Sequence, residues 1–180
     1  MDPAHERNTA IALLKEASGR LESVANPQLI PPEGIAFGFA IRGARDAGGV
    51  AIVQGGIRSG DRGKTLSGPC VFGSDDPVVR IILTAMKFDP AMRSAAILRF
   101  SPKAADVLEN DMLLECAVPD PSSAGRVIST MDWGIASCCR DCVPDAVVYR
   151  TGDGKESRIV IFGETAADVA NNIIICSNRI

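Results

Sequence analysis

The chain has 180 residues, 46% of them hydrophobic and 23% charged, with a formal net charge of −3. That length makes one domain with a full hydrophobic core, and the acidic balance excludes a general attraction to nucleic acid or anionic membrane. No apolar run approaches the roughly 18 residues of a membrane span, and Met1–Ala10 is too polar for a signal peptide, so a cytoplasmic protein is expected.

The first element is a helix over Thr9–Ala25, with Ile11, Leu14, Leu21 and Val24 near helical spacing, weakened in the middle by Gly19 and ended by Asn26-Pro27. One helix is too little for a helix-turn-helix module. Residues 1–26 therefore read as a helix packing on a main domain of residues 27–180. Pro31-Pro32 is a rigid connector, and strands are expected at Ile35–Ile41 and, after Gly48-Gly49, at Val50–Val53. Arg58–Lys64 is polar and bears glycine but lacks the P-loop frame, so it reads as a hairpin tip before a strand at Leu66–Phe72.

Ser74–Asp76 supplies the N-cap of a helix over Val78–Phe88, which Asp89-Pro90 stops. Val78, Ile81, Ile82, Ala85 and Phe88 share one side of it, and the polar exceptions Arg80, Thr84 and Lys87 form a narrow stripe. Such a helix is buried, and the stripe is expected to face solvent, a partner or a ligand. Ser94–Phe100 is a strand, and Ser101-Pro102 opens a helix to about Asn110. Met112–Val118 reads as a strand, Pro119–Gly125 as a loop, and Asp132-Trp133-Gly134 opens a helix through the cysteines. Ala146–Arg150 and Ser157–Phe162 bracket a Gly152-Asp153-Gly154 hairpin turn, and Thr165-x-x-Asp168 starts the last helix. The mixed order of strands and helices indicates an α/β domain whose sheet is not purely parallel.

Six cysteines include the Cys139-x-x-Cys142 pair beside Cys138. A closed zinc site needs four ligands, yet there is no second such pair and the one histidine is His5, so reduced thiols are expected and no metal is assigned. Cations gather around motifs: Arg42 and Arg45, Lys87, Arg93, Arg99, and Arg150 with Lys155. By strand alternation Arg93 and Arg99 point the same way, and converging guanidinium groups suit a phosphate or diphosphate.

The stretch TAMKFDP, followed by MRSA and Arg99, closely resembles the signature of the ThiN-type thiamine-phosphate synthase domain. GARD at Gly43–Asp46, GPCVFG at Gly68–Gly73, Pro144-Asp145 and GDGKE at Gly152–Glu156 extend the resemblance from about Pro27 to the C-terminus. It implies a three-layer α/β/α sandwich around a mixed, largely antiparallel sheet, of the class II aldolase/epimerase type. It also implies the coupling of hydroxymethylpyrimidine diphosphate with thiazole phosphate to give thiamine phosphate, with Mg²⁺ on the leaving diphosphate, in a homodimer. Arg45, Lys87, Asp89, Arg93, Arg99 and Lys155 would bind substrate; the resemblance assigns no catalytic residue here. The chain departs from the pattern at four places. An Arg is replaced by Gly56, a His of the helix-cap region by Asp75-Asp76-Pro77, and two Asn by Ala36 and Ile97. Arg58 lies two residues past Gly56, and a register slip of one inserted residue would bring it nearly to the place of that guanidinium. The alternative reading is a domain that binds thiamine phosphate without making it and signals through a protein partner.

Overall fold

In the computed structural model the described residues are 2–24, 26–60, 65–119, 132–139, 141–150 and 156–180. They form five α-helices and nine strands. Seven strands make one sheet in the order β5 (Cys70–Phe72), β2 (Val50–Val53), β1 (Ala36–Ala40), β6 (Ser94–Arg99), β9 (Arg158–Gly163), β8 (Ala146–Tyr149), β7 (Cys116–Ala117). Every neighbouring pair is antiparallel except β7 with β8. Helices α1 (Pro3–Val24) and α5 (Ala166–Arg179) cover one face over a core holding Leu14, Leu21, Phe37, Phe39, Leu98 and Ile173. Helices α2 (Pro77–Phe88) and α4 (Trp133–Cys138) cover the other, over Ile52, Ile82, Ala95, Ile135 and Phe162. The domain is thus a three-layer α/β/α sandwich with a mixed, largely antiparallel sheet.

Helix α1 starts earlier than the spacing predicts. Asp2 Oδ1 accepts from Ala4 N at 3.1 Å, so Asp2-Pro3 is the same cap-then-proline start that identifies the helix after Ser101. It passes through Gly19 because Leu14, Ala17 and Leu21 are buried beneath it, and that packing outweighs one glycine. The predicted strand Leu66–Phe72 is two strands. Gly68-Pro69 divides β4 (Thr65–Ser67), which pairs with β3 (Ile57–Ser59), from β5 in the main sheet. The hairpin reading of this region holds, although its tip at 61–64 lies outside the described residues.

Helix α2 has the predicted limits: Asp76 caps it through Val78 N, and Asp89 ends it. The polar stripe does not hold. Arg80 and Lys87 are exposed, whereas Thr84 is fully buried and its Oγ1 accepts from Asp132 N at 2.8 Å. The hydroxyl docks the start of α4 onto α2. Phe88, expected on the buried side, is 37% exposed because it lies in the last turn.

After α3 (Pro102–Asp106) the chain widens into a π-turn at Val107–Asp111. Leu113, at φ 55° and 81% exposed, then interrupts the run predicted as a strand, so only Cys116–Ala117 pair. The predicted loop Pro119–Gly125 (beyond Pro119) and the Gly152–Gly154 turn lie outside the described residues. No helix among the described residues is long and apolar enough to cross a membrane.

Candidate functional site

Two cavities flank α2 on the same side of the sheet. The first, about 310 Å³, is at the N-terminus of α2, walled by Glu33, Gly34, Ala36, Gly55, Gly56, Arg58, Asp76, Pro77 and Ile97. Its floor is set by register, since Ala36 is the partner of Ile97 across β1 and β6. Its rim is set by a bridge between Ile35 and Ile57, with hydrogen bonds of 2.8 and 2.9 Å, which brings the β3 hairpin against the start of β1.

Arg58 is held by its stem. Its Nε donates to Gly55 O at 2.8 Å, and its Cγ lies only 2.9 Å from where a Cβ on Gly34 would be, at a backbone φ of +90°. A side chain at residue 34 would therefore meet both backbone strain and a collision. With Nε committed, the terminal nitrogens of the fork remain for an anion at the cavity.

A second guanidinium stands at the same rim. Arg158 binds Glu33 in a two-pronged ion pair, Nε to Oε1 at 2.9 Å and Nη2 to Oε2 at 3.1 Å. Partial burial alone would raise the Glu33 carboxyl, but the Arg158 hydrogen bonds and charge hold it below its ordinary range. Arg99 is the register partner of Arg158, two residues beyond Ile97 and therefore on the same face, and it is exposed.

The second cavity, about 400 Å³, lies at the C-terminal half of α2 and is lined by both Arg45 of the GARD turn and Lys87. The substrate residues implied by the resemblance thus fall into groups. Arg45 and Lys87 share this cavity. Asp89 is beside it in sequence, yet its carboxylate caps Ala91 N at 3.0 Å and its backbone closes the turn through Met92 N. Lys155 lies outside the described residues.

Arg93 points away from Arg99, which corrects the alternation argument. Strand β6 begins at Ser94, so residue 93 is outside the pleat. Its guanidinium lies 4.7 Å from the centroid of Phe39, a residue of the α1-side core, and its Nε donates to Ala40 O at 3.0 Å. Burial, then the Arg42 charge, lower its pKa, against the opposing pull of Glu6.

Ala36, Gly56, Asp76 and Ile97, the four positions at which the resemblance implies a departure, all line the first cavity. His5 does not reach this cavity, because it belongs to α1 in the opposite helical layer. Among the described residues no group of three or more His, Cys, Asp or Glu is disposed to hold a metal. Burial and neighbouring thiols push Cys139 up to about 11, and burial raises Cys138 as well. Glu33 and Arg158 went unrecognised in the sequence; the residues either side of them carried no motif that would have joined two positions so far apart.

The model of the family described as thiamine-phosphate synthase ThiN matches residues 13–175, a span that starts inside α1. The chain belongs to that family. It is 28% identical over 151 residues to the bifunctional thiamine biosynthesis protein ThiDN of Methanocaldococcus jannaschii, covering 82% of this chain but only 36% of that protein. Two solved structures superpose with a TM-score of 0.83. The C-terminal domain of protein MJ0236 is 26% identical, with 95% of this chain and 94% of that one covered. The C-terminal domain of a phosphomethylpyrimidine kinase is 25% identical, with 95% and 100% covered.

Proposed function

We propose that this chain serves thiamine biosynthesis as a thiamine-phosphate synthase, binding the two phosphorylated precursors and their product at the N-terminal cavity of α2. The observation that carries this reading is Arg58. It is anchored at Nε and lodged in the notch of Gly34, so it presents a fixed fork at the wall where the family pattern expects the guanidinium that Gly56 lacks. Ala36 and Ile97 offer an apolar floor for a heterocycle. Arg99 adds positive charge on the same face for the leaving diphosphate.

Mg²⁺ fits such a site modestly. It is usually held by one or two carboxylates plus substrate phosphates, and Asp76 at the cavity wall, with Oδ1 already on Val78 N, is the residue that would share it. The ion would neutralise charge on the departing diphosphate. A cytoplasmic homodimer belongs to the same proposal.

The test is to mix both precursors with Mg²⁺ and the full chain and to measure thiamine phosphate. Absence of product at high protein concentration sinks the synthase reading. The second reading, binding without coupling, is favoured by the concentration of all four replaced positions in one cavity. It requires calorimetry to give tighter binding of thiamine phosphate than of either precursor, and a pull-down to return a DNA-binding partner.

A further inference from the structure

We propose, on the reading of the cavity at the N-terminus of α2 as the ligand site, that Glu33 selects the bound heterocycle by accepting from an exocyclic amine. Arg158 is the positioning residue that aims it. The pair joins the Pro31–Gly34 turn to the first residue of β9, 125 positions away. The Arg158 side chain is 18% exposed, and each of its guanidinium nitrogens has an acceptor in the protein. Nε and Nη2 hold the two oxygens of Glu33, and Nη1 donates to Ser157 O at 2.9 Å. The Glu33 side chain, by contrast, is 56% exposed and lines the cavity. The guanidinium is committed to the protein, and the carboxylate is what a ligand meets.

Both ends of the pair are fixed. Gly34 N donates to Pro31 O at 2.9 Å, closing a turn with Pro32 and Glu33 at its centre, and proline sets the backbone at the first of those two places. Across the sheet Ala36 pairs with Ile97, and Ile97 with Val160. Arg158, two residues before Val160, therefore lies on the face that carries the cavity floor. A two-pronged bond fixes the plane of the carboxylate as well as its place. It takes one lone pair from each oxygen, and the second on each stays available to an N–H donor. Asp76, the other carboxylate of the wall, has Oδ1 on Val78 N and serves the helix cap.

The pair also keeps the charges of the cavity apart. Among the described residues the ion pair formed is Arg158 with Glu33, although Arg58 stands at the same turn. With Glu33 held by Arg158, its carboxylate and the Arg58 fork do not cancel each other. One wall then offers donors to an anionic group and acceptors to an amine, above an apolar floor of Ala36 and Ile97. A ring carbonyl in place of the amine would set lone pair against lone pair at Glu33. Leaving a polar group without its partner costs more than the bond itself contributes, and selection follows from that difference.

The test compares thiamine phosphate with oxythiamine phosphate, in which a carbonyl oxygen replaces the amine of the pyrimidine ring, each titrated into the full chain by calorimetry. The wild-type chain is expected to prefer the amine by roughly 10- to 100-fold, the scale of a hydrogen bond to a charged group. Glu33→Gln offers an N–H as well as an acceptor, so the ratio should fall toward one. Arg158→Met should lower the ratio too, because the carboxylate loses its aim. A purely structural role for the pair would weaken both ligands alike and leave the ratio where it was. Should Arg158→Met fold poorly, the ratio in Glu33→Gln decides, since that side chain lies at the surface. Equal binding of the two ligands by the wild-type chain overturns the proposal, and so does a preference that Glu33→Gln keeps. In both cases thiamine phosphate still binds and the cavity remains its site; binding of neither ligand overturns that reading and this one together.

Discussion

Ala36 and Ile97 face one another across β1 and β6 and together floor the cavity at the N-terminus of α2. In both positions the resemblance implies an amide. Their pairing means that two positions far apart in sequence set the polarity of one patch, and an amide at either would act on the same surface. Ile97→Asn is therefore expected to raise thiamine phosphate formation by about tenfold or more, by the scale of a single active-site donor. Product formation under single-turnover conditions checks this; an unchanged rate with intact folding removes the patch from the chemistry.

Arg58→Ala is expected to weaken thiamine phosphate binding by roughly 10- to 100-fold, the range of charge-assisted hydrogen bonds. Arg58→Lys should recover little, since an ammonium has no Nε to keep the contact with Gly55 O and no fork to present. Calorimetry on the two variants decides between a positioned guanidinium and a generic positive charge, which Lys would supply equally well.

Helix α2 was legible in the sequence because its signals are local: Asp76-Pro77 at one end, Asp89-Pro90 at the other, and apolar residues between. The cavity it borders was not. Its wall draws on residues 33–36, 55–58, 76–77 and 97, and what unites them is strand register and the Ile35–Ile57 bridge, neither of which leaves a pattern in one chain. Arg93 was misjudged by one residue of strand boundary, which is enough to put a side chain on the opposite face. Thr84 looked like a surface residue because the helix that covers it is about fifty positions away.

Gly38→Ala should cost about 1–3 kcal/mol of stability as overpacking, because the new methyl group meets Ile82 Cδ1 at 2.9 Å and Ala51 O at 3.1 Å. Urea unfolding measures it. The pair variant with Ile82→Val shortens the obstructing side chain and is expected to return part of the loss.

Stability should fall on the alkaline side. Burial pushes Cys139, Cys116 and Cys176 up to about 11 in the fold, from an unfolded value near 9. A raised thiol pKa contributes stability that is fully present below pH 9 and is lost as pH rises through about 11, since the unfolded chain releases those protons first. Urea midpoints under reducing conditions should be flat from pH 7 to 9 and decline above it, and Cys176→Ala should make the decline shallower. Over the same range, iodoacetamide is expected to label the exposed Cys142 before the buried Cys139 and Cys176.

The contact of Gly38 with Ile82 has a mechanical meaning as well. It pins the middle of a short rigid helix to the central strand, with one hollow at each end of the helix. The seam closed by Gly38 and Ile82 therefore divides the α2 side of the sheet into two hollows that share no lining residue.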